Sequence, residues 1–192
     1  MDRATITLGL AGNPNVGKSV IFNALTGSQQ HVGNWPGKTV ERAEGSFTYQ
    51  GREIRLVDLP GTYSLAAQSP EEVIARDYII SGEPYVVVDV VDATSLERNL
   101  NLTLQILELT DRVVVGLNLM DEVERMGSEL DTAELEAELG VPVVPTVATE
   151  EEGLPELVEA TVEVAEGHRP THPVQLDYGL TVDGHIETLQ ED

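Results

Sequence analysis

The octapeptide Gly12-Asn13-Pro14-Asn15-Val16-Gly17-Lys18-Ser19 constrains this chain more than any other feature. It has the spacing G-x-x-x-x-G-K-[ST]. It lies between an apolar run at residues 4–11 and a segment at 17–25 whose Val20, Ile21, Ala24 and Leu25 recur at helical spacing. A strand, a glycine-rich turn and a helix in that order form an anion cradle. The glycines let backbone N–H groups approach phosphate oxygens, and the helix start presents the positive end of its dipole. Lys18 is then placed to reach the β- and γ-phosphates of a nucleotide, and Ser19 to set its hydroxyl on Mg²⁺.

The remaining pattern fits such a cradle. Residues 28–38 are polar, with Gly33, Pro36 and Gly37, and are expected to form an exposed loop. Runs at 39–49 and 53–58, joined at Gln50-Gly51-Arg52, predict a hairpin. Residues 60–70 are loop and 71–80 helix. The continuous run YVVVDVV at 85–91 predicts a strand covered on both faces, with Asp89 in its middle expected to pair with backbone or a neighbouring helix and Asp92 at its end structural. Helices follow at 96–109, 131–139 and 154–166, with strands at 112–117 and 141–147. The expectation is an α/β fold with a mostly parallel six-stranded sheet, one antiparallel hairpin and helices on both faces. Aromatics make up only 4% of the chain, so Val, Leu, Ile and Ala must build the core, which suits such a sheet. With no cysteine, disulfides, thiolate metal sites and a Cys nucleophile are excluded, and the four histidines share no helical spacing. No apolar run approaches the roughly 18 residues of a membrane span.

Two further signals fall at predicted strand ends. In Asp58-Leu59-Pro60-Gly61 the carboxylate can hold Mg²⁺ through a water, and the Gly61 N–H can bond a γ-phosphate and sense its presence. In Asn118-Leu119-Met120-Asp121 the Asp121 carboxylate can accept from the N1–H and 2-amino group of guanine, a pair of donors that adenine lacks. Val147-Ala148-Thr149 fits the loop whose backbone closes over the guanine O6. These elements, in this order, resemble the Ras-like P-loop GTPase domain of the translation-factor (TrmE-Era-like) type. The departure is Leu119, where the usual N-K-x-D signature has lysine; leucine keeps apolar cover for the base and loses the charge.

A closer resemblance rests on the string Gln30-His31-Val32-Gly33-Asn34-Trp35-Pro36-Gly37-Lys38-Thr39-Val40-Glu41, on DLPGTYSL at 58–65 and on VVDATSLERNLNLTLQ at 90–105. Together they are similar to the cytosolic G domain of FeoB-type ferrous iron transporters. The resemblance implies a regulatory domain that binds GTP and hydrolyses it slowly, on the cytoplasmic face of the cell membrane. It implies Thr39 as the first-switch threonine, its hydroxyl and backbone closing on Mg²⁺ and the γ-phosphate; Gly37 and Lys38 precede it in the candidate nucleotide contacts, and Lys38, standing where a small apolar residue is expected, is either a phosphate or acidic-partner contact or a solvated loop lysine. Thr62 stands where Ras-like proteins carry a water-orienting glutamine, so unaided hydrolysis is expected at about 10⁻⁴ to 10⁻² per second. It also implies K⁺ beside the phosphates, held by Asn15, although Asn15 as a loop cap is the competing reading. The expected catalytic set is Lys18, Asn15, Thr39 and Gly61; Ser19, Thr39 and Asp58 are the expected Mg²⁺ ligands. Trp35, placed in a loop, is expected either to pack down in one nucleotide state or to mark a partner surface. The implied partners are a helical spacer and a membrane iron permease, with room for a homo-oligomer. The expected division is a G domain at 1–167, a linker at 168–177 and the start of the spacer at 178–192.

Charge narrows the alternatives. Eleven Lys and Arg against 34 Asp and Glu give a formal charge of −23. That disfavours nucleic acid and anionic membrane surfaces, whose affinity comes from cationic side chains, and counts against an RNA- or ribosome-associated GTPase. An ATP-using P-loop protein is separated by base preference. Only Lys18 and Lys38 are lysines, a pattern expected either of a high-salt proteome or of an ordinary acidic protein. In such a field the phosphate loop is an isolated positive site, so nucleotide affinity is expected to rise as salt screens the surface.

Overall fold

The computed structural model describes residues 5–175. Its centre is a seven-stranded sheet of β1 (Ile6–Gly12), β2 (Gln30–Asn34), β3 (Glu41–Tyr49), β4 (Arg52–Asp58), β5 (Val86–Asp92), β6 (Val113–Asn118) and β7 (Val143–Pro145). The spatial order is β2-β3-β4-β1-β5-β6-β7. The pairs β2–β3 and β3–β4 are antiparallel, and the other neighbours are parallel. The helices are α1 (Lys18–Thr26), α2 (Pro70–Ile80), α3 (Leu96–Leu109), α4 (Met120–Arg125), α5 (Thr132–Leu139) and α6 (Leu154–Glu166).

Strand alternation splits the aliphatic runs between two cores. In β5, Val86, Val88 and Val90 face α1 and α6 with Ile21, Phe22, Leu157 and Val158. Val87 and Val91 face the opposite core with Ile74, Tyr78, Leu102 and Ile106 of α2 and α3. This double cover is why residues 85–91 carry no polar alternation. Helix α2 starts where Ser69 accepts a bond from the Glu72 N–H at 3.2 Å, with Pro70 in its first turn and Glu72 reaching back to the Gln68 N–H at 2.8 Å. Among the described residues no helix is long and apolar enough to cross a membrane.

Three expectations are changed or narrowed. The sheet has seven strands rather than six, because residues 30–34, expected within a loop, pair antiparallel with β3. All five are exposed and Val32 is their one apolar side chain, so no periodicity marks them; hydrogen bonding to the β3 backbone makes the strand. Trp35 leaves the exposure of its loop and packs down on the domain, one of the two readings expected of it. It is buried in the α2–α3 core, edge-on to Tyr78 at 5.2 Å, with the Arg42 guanidinium 4.5 Å above its ring. Residues 168–175, within the expected linker, are tied back to the domain. The His172 N–H bonds the Gly140 carbonyl at 2.8 Å, the Val174 N–H bonds that of Leu139 at 3.0 Å, and Arg169 pairs with Glu136. Gly140 permits this, since its φ is +70° and a Cβ there would lie 1.8 Å from the His172 oxygen. The expected spacer at 178–192 lies outside the described residues.

Candidate nucleotide-binding site

The first strand hands the chain to a loop that bends back on itself. Asn15 has φ +67° and Gly17 φ +90°, so the turn uses the left-handed region twice before α1 begins at Lys18. Gly17 is required on two counts. An added Cβ would be strained at that φ, and it would stand 2.2 Å from Asn118 Nδ2. That closeness serves a hub. The buried Asn118 side chain donates to the Val16 carbonyl at 2.9 Å and accepts from Thr146 Oγ1 at 3.1 Å and the Ala148 N–H at 3.0 Å. One asparagine at the end of β6 therefore locks the phosphate loop to the segment after β7.

Residues Asn13, Pro14, Asn15, Gly17, Lys18, Ser19, Val20 and Gly61 line a cavity of about 540 Å³. Gly61 reaches it because the segment after β4 is stitched to the end of β1. The Leu59 N–H bonds the Leu10 carbonyl at 2.9 Å, and the Thr62 N–H that of Gly12 at 3.4 Å. A Cβ on Gly61 would lie 3.3 Å from Pro14 Cα, so a side chain here would push the two loops apart. Lys18, which lines the cavity, is paired with Asp58 at the end of β4. Burial pushes the Asp58 carboxyl above the ordinary aspartate range, against the pull of the Lys18 ammonium.

The residues fit a phosphate chain with a divalent cation. The Asp58 carboxylate is largely buried, with Lys18 as its neutralising partner; a polyphosphate could recruit Lys18, and a cation would replace its charge at Asp58. The Asn13 carboxamide is 2% exposed with no hydrogen-bond partner for either polar atom among the described residues, so the cradle holds unspent hydrogen-bonding capacity. The Asn15 and Ser19 side chains are exposed and have no hydrogen bond among the described residues, which leaves both oxygens free for a cation and removes the capping alternative for Asn15 in this conformation.

The segments expected to read the base follow β6 and β7. Leu119 takes φ +67° and α4 starts at Met120, so N-L-M-D is also a helix start. The Asp121 carboxylate is held by Arg125, one turn along α4. Val147 and Ala148 are buried and Thr149 exposed, where a short 3-10 turn begins at Ala148. Leu59 is a core side chain and Pro60 half-buried; from the 58–61 motif, only Gly61 lines the cavity.

The first-switch residues are elsewhere in this structure. Gly37, Lys38 and Thr39 are exposed and do not line the phosphate cavity. They sit at the tip of the β2–β3 hairpin, closed by bonds from the Trp35 N–H to the Val40 carbonyl and from the Lys38 N–H to the Trp35 carbonyl. Lys38 instead lines a smaller cavity of about 260 Å³ beside Trp35 and α2. A sequence motif cannot state which conformation a mobile-type loop occupies; the seat of Trp35 in the core decides it here. Thr146 went unnoticed in the sequence, although it directly precedes the expected base loop. Charge is also placed unevenly: between Asp2 and Glu41 there is no Asp or Glu, so the phosphate loop lies in an acid-free fifth of an acidic chain.

A mostly parallel sheet with this cradle at the end of β1, a carboxylate and Gly61 after β4, and Asn118 and Asp121 after β6 defines a P-loop domain of the GTPase class. The family model of ferrous iron transport protein B matches residues 6–161, and the chain belongs to that FeoB family. It is 50% identical over 153 residues, 78% of its length, to the Fe(2+) transporter FeoB of Escherichia coli K12, of which those residues cover 20%. The crystal structure of the cytosolic domain of the T. maritima FeoB iron transporter in a GDP form superposes with a TM-score of 0.93 at 46% identity, over 98% of this chain and 74% of that one. The GMPPNP form of the same domain gives 0.91 at 46% identity, over 97% and 73%. The chain spans about a fifth of the length of the curated relatives it matches.

Proposed function

We propose that this chain is the GTP-binding and slowly GTP-hydrolysing switch domain of a ferrous iron membrane transporter, acting on the cytoplasmic side of its permease through a helical spacer. The observation that carries the reading is the cavity formed by the phosphate loop and Gly61, lined by a Lys18 that is paired to Asp58. Similarity to structures in GDP and GMPPNP forms supports guanine nucleotide as the ligand.

In this reading the amides of Gly12–Ser19 and the Lys18 ammonium bind the phosphates, and Asp121 accepts from the guanine edge while Leu119 covers the base. Ser19 and Asp58, joined by Thr39, would hold Mg²⁺, which supplies charge neutralisation for phosphoryl transfer. Asn15 would hold K⁺ by its free carbonyl oxygen. Thr39 can join only if the hairpin tip leaves its present position, and that tip is pinned through Trp35 to α2. The switch therefore has a mechanical partner within the domain. Thr62 is buried and its N–H is bonded to Gly12, so it fixes backbone and does not orient water.

Base reading is tested with Asp121→Asn. The wild-type chain is expected to bind labelled GDP and reject ADP and xanthosine diphosphate. The variant is expected to lose GDP and gain xanthosine diphosphate, because the carboxamide swaps an acceptor for a donor. Equal affinity of the wild type for ADP and GDP would refute guanine recognition.

A further inference from the structure

The stretch 92–105 carries much of the family resemblance, yet none of its residues lines the phosphate cavity. Its side chains are spent on fixing α3 and on one loop. Asp92 accepts from the Thr94 N–H at 2.8 Å and its hydroxyl at 2.6 Å. Asn99 donates to the Ser95 carbonyl at 2.9 Å, and Thr103 donates to the buried Asp89 of β5 at 2.6 Å. These bonds set α3 rigidly against the strand that pairs with the end of β1, where Gly12 is opposite Val90. From that fixed helix Gln105 reaches out. Its Nε2 is taken by the Asn101 carbonyl at 3.1 Å, which turns Oε1 outward to accept from the Leu65 N–H at 2.8 Å and the Ser64 hydroxyl at 3.3 Å. Leu65 and Ser64 follow Gly61 by only a few residues, and Leu65 is buried in the core beneath. Beyond them the loop is held again at Ser69, the cap of α2, with Ala67 between the two anchors at φ +61°.

We propose that Gln105 is a positioning residue for Gly61: by clamping residues 64–65 to α3 it holds the loop after β4 against the phosphate loop and so pre-organises the Gly61 N–H for a terminal phosphate. The proposal rests on the nucleotide reading above. Its signature is selective, because a diphosphate makes no γ-phosphate contact and a triphosphate does. A merely structural glutamine would change affinity for both or for neither.

The test uses the 192-residue chain with fluorescent GDP and GMPPNP. In Gln105→Met, which keeps length and removes the acceptor, GMPPNP affinity is expected to fall about fivefold, the size of one net hydrogen bond, with GDP affinity within about twofold. Gln105→Glu keeps an acceptor oxygen for residues 64–65 but loses the donor to the Asn101 carbonyl, and is expected to recover part of the ratio, falling between methionine and wild type. Ser64→Ala, which removes the weaker of the two clamp bonds and leaves α3 untouched, is expected to move the ratio the same way by about twofold and serves if the methionine variant fails to fold. An unchanged GMPPNP-to-GDP ratio in the methionine variant, a parallel loss of both, or a glutamate variant as impaired as methionine overturns the positioning role. A wild-type chain that binds neither nucleotide overturns the nucleotide reading itself and this role with it.

Discussion

Replacing Asp89 by Asn should stabilise this protein at neutral pH and leave it unchanged in acid. Asp89 is 1% exposed beneath α3; Thr103 donates to one carboxylate oxygen, and the other has no partner among the described residues. Burial pushes its carboxyl up to about 6 from the ordinary 3.8, with the Thr103 bond pulling the other way. The sign follows from proton counting. Between about pH 4 and 6 the unfolded chain has released this proton and the folded chain keeps it, so stability falls as pH rises through that window. Below it both states are protonated and above it both are ionised, so the contribution is flat on either side. The gap from 3.8 to about 6 amounts to about 3 kcal/mol. Asparagine never ionises and keeps an oxygen for Thr103. Urea unfolding of both proteins from pH 4 to 8 gives the variant-minus-wild-type difference, in which the other carboxylates cancel. That difference should climb by about 2 kcal/mol between pH 4 and 6 and level by about pH 7. A difference constant within about 0.5 kcal/mol over that range would refute the reasoning, since an Asp89 that titrates alike in both states contributes no pH dependence.

Gly17→Ala should cost at least about 2 kcal/mol, from a left-handed alanine and the collision with Asn118 that breaks its bond to Val16; thermal unfolding and nucleotide binding should fall together. Asn15→Ala should abolish any excess of GTP turnover in KCl over NaCl while retaining GDP binding, and equal wild-type rates in the two salts would remove the K⁺ site. Affinity for Mg-GTP should rise as KCl goes from low to molar concentration, because screening relieves the repulsion between a −23 chain and a polyanion. A steady fall, measured by equilibrium titration, would contradict that field.

The cradle was legible because its chemistry is local. Five residues between Gly12 and Lys18 must turn a strand into a helix, and few sequences do so with lysine at the end. The helices at 96–109 and 154–166 were equally legible, since long amphipathic repeats leave little choice of period; both occur with those bounds. Strand β2 was not legible, because an edge strand with both faces exposed has no apolar signature and exists through the backbone of β3. Helix α4 is six residues long, too short for any periodicity to announce it.

By itself the sequence determined an α/β domain, the place of the phosphate loop within it, and the candidate residues for reading a guanine, because each depends on neighbours a few positions apart. Tertiary structure alone decided what those residues do at rest. It buried Trp35, kept Thr39 out of the phosphate cavity, paired Lys18 with Asp58 across 40 positions, and made Asn118 the bolt between the phosphate loop and the segment after β7. Those are contacts between distant segments, fixed by the packing of helices on the sheet, and no local pattern encodes which partner a buried polar group finds.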